Sequence, residues 1–122
     1  MYKVITTSII ISVLFGCSSV PSAGLSEQGQ ASFYADKYQG RLTASGESFS
    51  QKAFSAAHKT WSFGTKVRVT NLANNKTVIV TINDRGPFVR GRVIDLSKQA
   101  FIEIADLNDG LIDVRITTIT SP

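Results

Sequence analysis

Apolar and polar residues alternate along this chain in five short runs, at residues 30–34, 66–70, 77–83, 92–96 and 112–119. A period of two is the signature of a strand with one buried face, so each run predicts a β-strand. Asn74 and Asn75 fall between the second and third runs. Asn tolerates the positive φ of tight turns, which predicts a hairpin there. One segment carries helical spacing instead. Ser97 can cap a helix over residues 98–105, whose Ala100, Phe101 and Ile104 share an apolar face. Several strands with a single helix predict a mainly β domain, either a small barrel or a sandwich. Closing the barrel would remove the exposed edges.

The N-terminus has a different pattern. Lys3 precedes an apolar stretch running to Phe15, too short for the roughly 20 residues that span a bilayer. It fits the apolar region of a signal peptide. Leu14-Phe15-Gly16-Cys17 follows and resembles a bacterial lipobox, with Phe15 bulkier than usual. The resemblance implies a signal peptide over residues 1–16 and lipidation of Cys17, and Ser18 next to it implies sorting to the inner leaflet of an outer membrane, facing the periplasm. The alternative is a buried thiol in an apolar helix. Residues 17–28 read as the lipidated Cys and a flexible tether, leaving one domain over residues 29–120.

Composition narrows the function. The net charge is +4 with no basic run or aromatic platform, which argues against nucleic acid and suits a polyanionic envelope polymer. The sole cysteine leaves no disulfide framework, and one His with one Cys makes no recognisable metal-ligand cluster, so no metal or cofactor is expected.

The candidate chemistry lies at residues 83–95, Asn-Asp-Arg-Gly-Pro-Phe-Val-Arg-Gly-Arg-Val-Ile-Asp. The third predicted strand delivers Asp84 to a Gly/Pro-broken turn, where functional groups often sit. Arg85, Arg90 and Arg92 can hold a carboxylate ionised or bind polar substrate oxygens, and Phe88 offers a flat apolar face of the kind sugars stack on. Ordinary turn chemistry is the plain alternative. Glu47 lies in a Gly-punctuated loop and is either a second functional carboxylate or a solvated charge. His58, the only histidine, is more often structural than catalytic when it stands alone.

Six blocks of the sequence then resemble one family. They are Gly29-Gln30-Ala31-Ser32-Phe33-Tyr34, Gly40-Arg41-Leu42-Thr43-Ala44-Ser45-Gly46-Glu47, Ala56-Ala57-His58-Lys59-Thr60, residues 63–71, Ile82-Asn83-Asp84-Arg85-Gly86-Pro87-Phe88 and Gly91-Arg92-Val93-Ile94-Asp95-Leu96-Ser97. In this order they are similar to the rare lipoprotein A family. The resemblance implies a six-stranded double-psi β-barrel with one or two short helices. It also implies an endolytic peptidoglycan lytic transglycosylase that cuts MurNAc-GlcNAc bonds of stem-peptide-poor strands and leaves 1,6-anhydro-MurNAc ends.

Carried over by motif, the family's essential acids fall on Glu47 and Asp84 and its histidine on His58. Asp84 is then expected to act as acid and base, Glu47 to stabilise charge or exchange roles with it, and His58 to orient one of them. Tyr34, Thr43, Arg85, Gly86, Pro87, Phe88 and Arg92 are the implied glycan contacts. Asp95-Leu96-Ser97 is similar to a stretch of the expansins with a functional aspartate. Asp95 is therefore a rival, its alternative being a carboxylate at the helix start. An Arg85 paired with Asp84 would spoil that residue as an acid, so Arg85 is expected to point elsewhere. The rival function is noncatalytic, expansin-like peptidoglycan binding. Longer members often add a SPOR domain, absent from this sequence, so septal targeting would need a partner; a monomer is expected.

Overall fold

The computed structural model describes residues 24–119. The signal-peptide segment, Cys17 and most of the expected tether lie outside the described residues. Six strands, β1 (Ser26–Phe33), β2 (Ser55–Ala57), β3 (Lys66–Asn71), β4 (Thr77–Asp84), β5 (Arg92–Leu96) and β6 (Ile112–Thr118), close into a barrel in the order β1-β5-β2-β4-β3-β6. Pairs β1/β5 and β2/β4 are parallel, and the others are antiparallel. One helix, α1 (Lys98–Ile102), follows β5, and single 3-10 turns lie at Asp36–Tyr38 and Leu107–Asp109.

The mainly β architecture and barrel closure are as expected. The start of β1 and the presence of β2 differ from expectation. β1 starts inside the segment read as tether, because Ser26, Glu27 and Gln28 pair with Thr117, Ile116 and Arg115 of β6. β2 has no counterpart among the predicted strands. Its three residues are all buried, so no alternation marks it.

The period-two runs place Val67 and Val69 (β3), Val80 and Ile82 (β4), Ile94 and Leu96 (β5), and Val114 and Ile116 (β6) in one buried cluster. Burying each such side chain contributes about 1.5–3 kcal/mol relative to exposure. Helix α1 packs Ala100 and Phe101 against that cluster, with the Phe101 ring 4.8 Å from Phe33. Its cap is the predicted one. Ser97 Oγ accepts from the Ala100 N–H at 3.2 Å and donates to the Ala53 carbonyl at 2.5 Å. The helix is three residues shorter than predicted, but Ile104 still reaches the core.

Gly29 lets two strands approach closely. A Cβ there would lie 2.5 Å from Val93 Cγ1 and 3.0 Å from the Gly91 carbonyl oxygen.

Candidate functional site

The strand register brings distant residues into one row. Ser32 of β1 pairs with Asp95 of β5, Asp95 with Ala57 of β2, and Ala57 with Asp84 of β4. Their neighbours Ala31, Ile94, Leu96, Ala56 and Ile82 belong to the core. Because strand side chains alternate between faces, Ser32 and Asp95 are directed away from it. Asp84 needs one more device. The β2/β4 register passes from Ala56–Ile82 to Ala57–Asp84, skipping Asn83. Regular pleating would have set Asn83 opposite Ala57, so this irregularity turns Asp84 towards Asp95's side. Ala57, only a methyl group, lies between the two aspartates in the row.

Both aspartates line a cleft of about 530 Å³ together with Ser32, Tyr34, Arg41 and Arg92. Asp84 accepts from three donors. Tyr34 Oη donates to Oδ2 at 2.6 Å, and the backbone N–H groups of Ala44 and Arg85 donate to Oδ1 at 2.8 and 2.9 Å. Three donors converging on two oxygens suit a carboxylate that acts only as acceptor. Asp95 is placed differently. It accepts from the Ser32 hydroxyl, yet loss of water around it raises its pKa above the ordinary carboxyl value, and the charge of Asp84 adds to the rise. The Ser32 bond and the Arg92 and Lys59 charges oppose the shift without reversing it. Two carboxyl groups on one cleft are thus held in contrasting environments.

An aromatic stack holds Tyr34 in place. Its ring lies 4.2 Å from Phe49 in a stacked arrangement and 5.8 Å edge-on from Tyr38. Burial, then the bond to Asp84, push the Tyr34 phenol far above its ordinary pKa, so it remains a donor. The Arg85 side chain points away from Asp84. Its guanidinium donates to the carbonyls of His58 and Trp61 at 3.2 and 2.8 Å and lies 4.1 Å from the Phe63 ring centroid.

Tyr34, Asp84, Arg85, Arg92 and Asp95 all line the cleft, as Tyr38, Arg41 and Leu42 also do. Glu47 lies beside it. This exposed side chain accepts from Asn83 Nδ2 at 3.2 Å, next to Asp84 in the chain. The loop that carries Glu47 is pinned to β4 through Ala44 N–H on Asp84 and Ser45 N–H on the Asn83 carbonyl. The hydrogen bond expected from His58 to one of these acids is not the one the ring makes. His58 is 2% exposed and stacked on Trp61 at 4.0 Å. Its Nε2 meets Glu27 at 3.0 Å, while Nδ1 accepts from the Thr60 and Trp61 N–H groups. Burial lowers its pKa, outweighing the pull of Glu27.

Asp95 lies two residues before Ser97, the cap of α1, and its carboxyl accepts from Ser32. Thr43 is buried, and its hydroxyl is engaged with Ser45 and the Glu47 carbonyl inside the loop. Gly86 and Pro87 are buried at the turn, where Gly86 has a φ of 122°, a region open mainly to glycine. Phe88 is 79% exposed and is not among the residues lining the cleft. Sequence reading missed Ser32 and the spacer Ala57. The available signal was the i, i+2 spacing of Ser32 and Tyr34 at the end of the first strand.

A family model described as lytic transglycolase matches residues 26–116. A Pasteurella multocida protein named endolytic peptidoglycan transglycosylase RlpA is 48% identical over 102 residues, which cover 84% of this chain and 35% of that protein. A Nostoc protein named probable endolytic peptidoglycan transglycosylase RlpA is 52% identical over 100 residues, covering 80% of this chain and 27% of its own. This chain therefore spans well under half the length of these relatives. Among solved structures, the Streptomyces papain inhibitor has a TM-score of 0.66 at 24% identity, covering 80% of this chain and 97% of that one. A mutant Clavibacter michiganensis expansin in complex with cellohexaose has a TM-score of 0.63 at 24% identity, covering 80% and 52%. Both structural likenesses speak to the fold.

Proposed function

The chain belongs to the lytic transglycolase family of double-psi β-barrel proteins, with RlpA proteins as its relatives, and we propose from this that it cleaves peptidoglycan glycan strands without water. The observation that carries the reading is the cleft pair: Asp84, held by three donors, and Asp95, biased by burial towards its protonated form. Asp95 protonates the oxygen leaving the anomeric carbon of N-acetylmuramic acid, and the C1–O bond to N-acetylglucosamine breaks. The muramoyl 6-hydroxyl then bonds to C1 and returns its proton to Asp95, closing the 1,6-anhydro ring. One carboxyl serves as acid and then base, a contribution of about 10²–10⁴-fold in general acid–base catalysis. Asp84 remains charged and stabilises the oxocarbenium-like centre between the two steps.

This moves the acid/base role from Asp84, where sequence placed it, to Asp95. Three donors on Asp84 favour its charged role. Glu47 is assigned to sugar hydroxyls at the cleft's edge, and His58 to supporting the loop that holds Arg85. Tyr34, Tyr38, Arg41 and Arg92 supply stacking and polar contacts along the glycan. We further assign to the chain a preference for stem-peptide-poor strands and, on the lipobox resemblance of residues 14–17, a lipid-anchored, monomeric life in the envelope on the inner leaflet of the outer membrane.

The test is incubation of the full chain with amidase-stripped glycan strands, followed by mass spectrometry. Anhydro-muramoyl ends are expected from the natural chain, and none from Asp95→Asn. Hydrolytic reducing ends, or binding to strands with no new ends, would refute the lytic reading; the second outcome is the one a noncatalytic binder gives.

A further inference from the structure

The two acids described above take their hydrogen bonds from a common source. Ser32 and Tyr34 stand two residues apart at the C-terminal end of β1, roughly 6–7 Å along an extended chain. Ser32 donates to Asp95, and Tyr34 donates to Asp84 at 2.6 Å. Both donors sit on rigid backbone. Ser32 pairs with Asp95 in the β1/β5 ladder, and Tyr34 donates its N–H to the Leu96 carbonyl at 3.0 Å. The Tyr34 carbonyl accepts from Gln51 Nε2 at 2.7 Å, and the ring is stacked on Phe49.

We propose that Ser32 and Tyr34 are positioning residues, a pair of hydroxyl donors on one strand end that fixes each aspartate's side chain in its working direction and keeps the pair from rearranging. The proposal rests on the cleft reading above. Its physical basis is that two carboxyl groups in one cleft repel when both are charged. A carboxyl group without a directing donor is free to turn towards solvent. A donor aimed at each from a common rigid support removes that freedom before substrate arrives. Asp84 receives backbone donors as well, so Tyr34 sets the direction of its second oxygen. Asp95 has only Ser32 as a hydrogen-bond donor among the described residues, which makes Ser32 the more consequential of the two.

The test uses the full chain with Ser32→Ala, Ser32→Thr, Ser32→Cys and Tyr34→Phe, and reads two quantities. The first is the carboxyl ¹³C titration of Asp95 without substrate. Removing a donor that favours the ionised form must raise its midpoint, so Ser32→Ala is expected to titrate at higher pH than the natural chain. Ser32→Thr should restore the midpoint and Ser32→Cys, a weak donor, should fall between. The second is the separation of kcat from KM on stripped glycan. Tyr34→Phe retains the ring, so kcat is expected to fall about tenfold or more, as for a lost charge-assisted hydrogen bond, while KM stays within about twofold. An Asp95 midpoint unchanged across the Ser32 series in folded protein overturns the proposal. So does a Tyr34→Phe change confined to KM. If the natural chain makes no anhydro ends, the proposed reaction fails, but the titration still decides the positioning role of Ser32.

Discussion

A carboxyl group that folding removes from water binds its proton more tightly than in the unfolded chain, and this ties Asp95's chemistry to stability. Its folded pKa lies above the ordinary 3.8, so the associated stabilisation is complete below that value and is lost as pH rises through the folded value. Above the folded value, the ionised Asp95 is held less favourably in the folded chain than in the unfolded one. Asp95→Asn is expected to raise the melting temperature at pH 7 while eliminating anhydro products, which thermal melts beside product analysis would check. His58 has the opposite sign. Burial lowers its pKa below 6.5, so its contribution is present above that value and is lost as pH falls through the folded value. The melting temperature should decline in mild acid, and His58→Gln should flatten the decline even if it lowers stability overall. At this scale, Asp84 and Asp95 were legible because a carboxylate beside a Gly/Pro turn and another within a strand are unusual placements. Ser32 was not, since its role arises only when β5 lies beside β1. His58's own solitude favoured the structural role that its ring contacts now display.

Strands were readable in proportion to how unequal their two faces are. β3, β4, β5 and β6 alternate between core and solvent, and their predicted limits differ little from those observed. β2, buried along its whole length, offered no contrast to read, although it is the strand that separates the two aspartates. The skipped Asn83 was equally hidden. A one-residue register change leaves the sequence alternation of β4 almost intact yet decides which way Asp84 faces. Close approach between elements supplies a direct check. Gly29→Ala would drive a methyl group to 2.5 Å from Val93 Cγ1, and overpacking of this kind costs about 1–3 kcal/mol. Denaturant unfolding should register that loss, and Val93→Ala in the same chain should recover part of it by vacating the contact. Full stability in Gly29→Ala alone would mean that β1 and β5 can separate freely.

Across the molecule, charge and chemistry are arranged around the same opening. The chain carries a formal +4, and Arg41 and Arg92 line the cleft with Lys59 acting electrostatically on Asp95. An anionic polymer should therefore be gathered by attraction that added salt weakens. Raising ionic strength is expected to increase KM on stripped glycan with little change in kcat; an equal loss in kcat would place the charges in the chemical step instead. The barrel also divides labour along a single strand. Ile94 and Leu96 of β5 turn inwards to the buried cluster, while Asp95 between them turns to the cleft. The inward-facing positions can therefore be refilled to harden the barrel while the two cleft carboxyl groups keep their places.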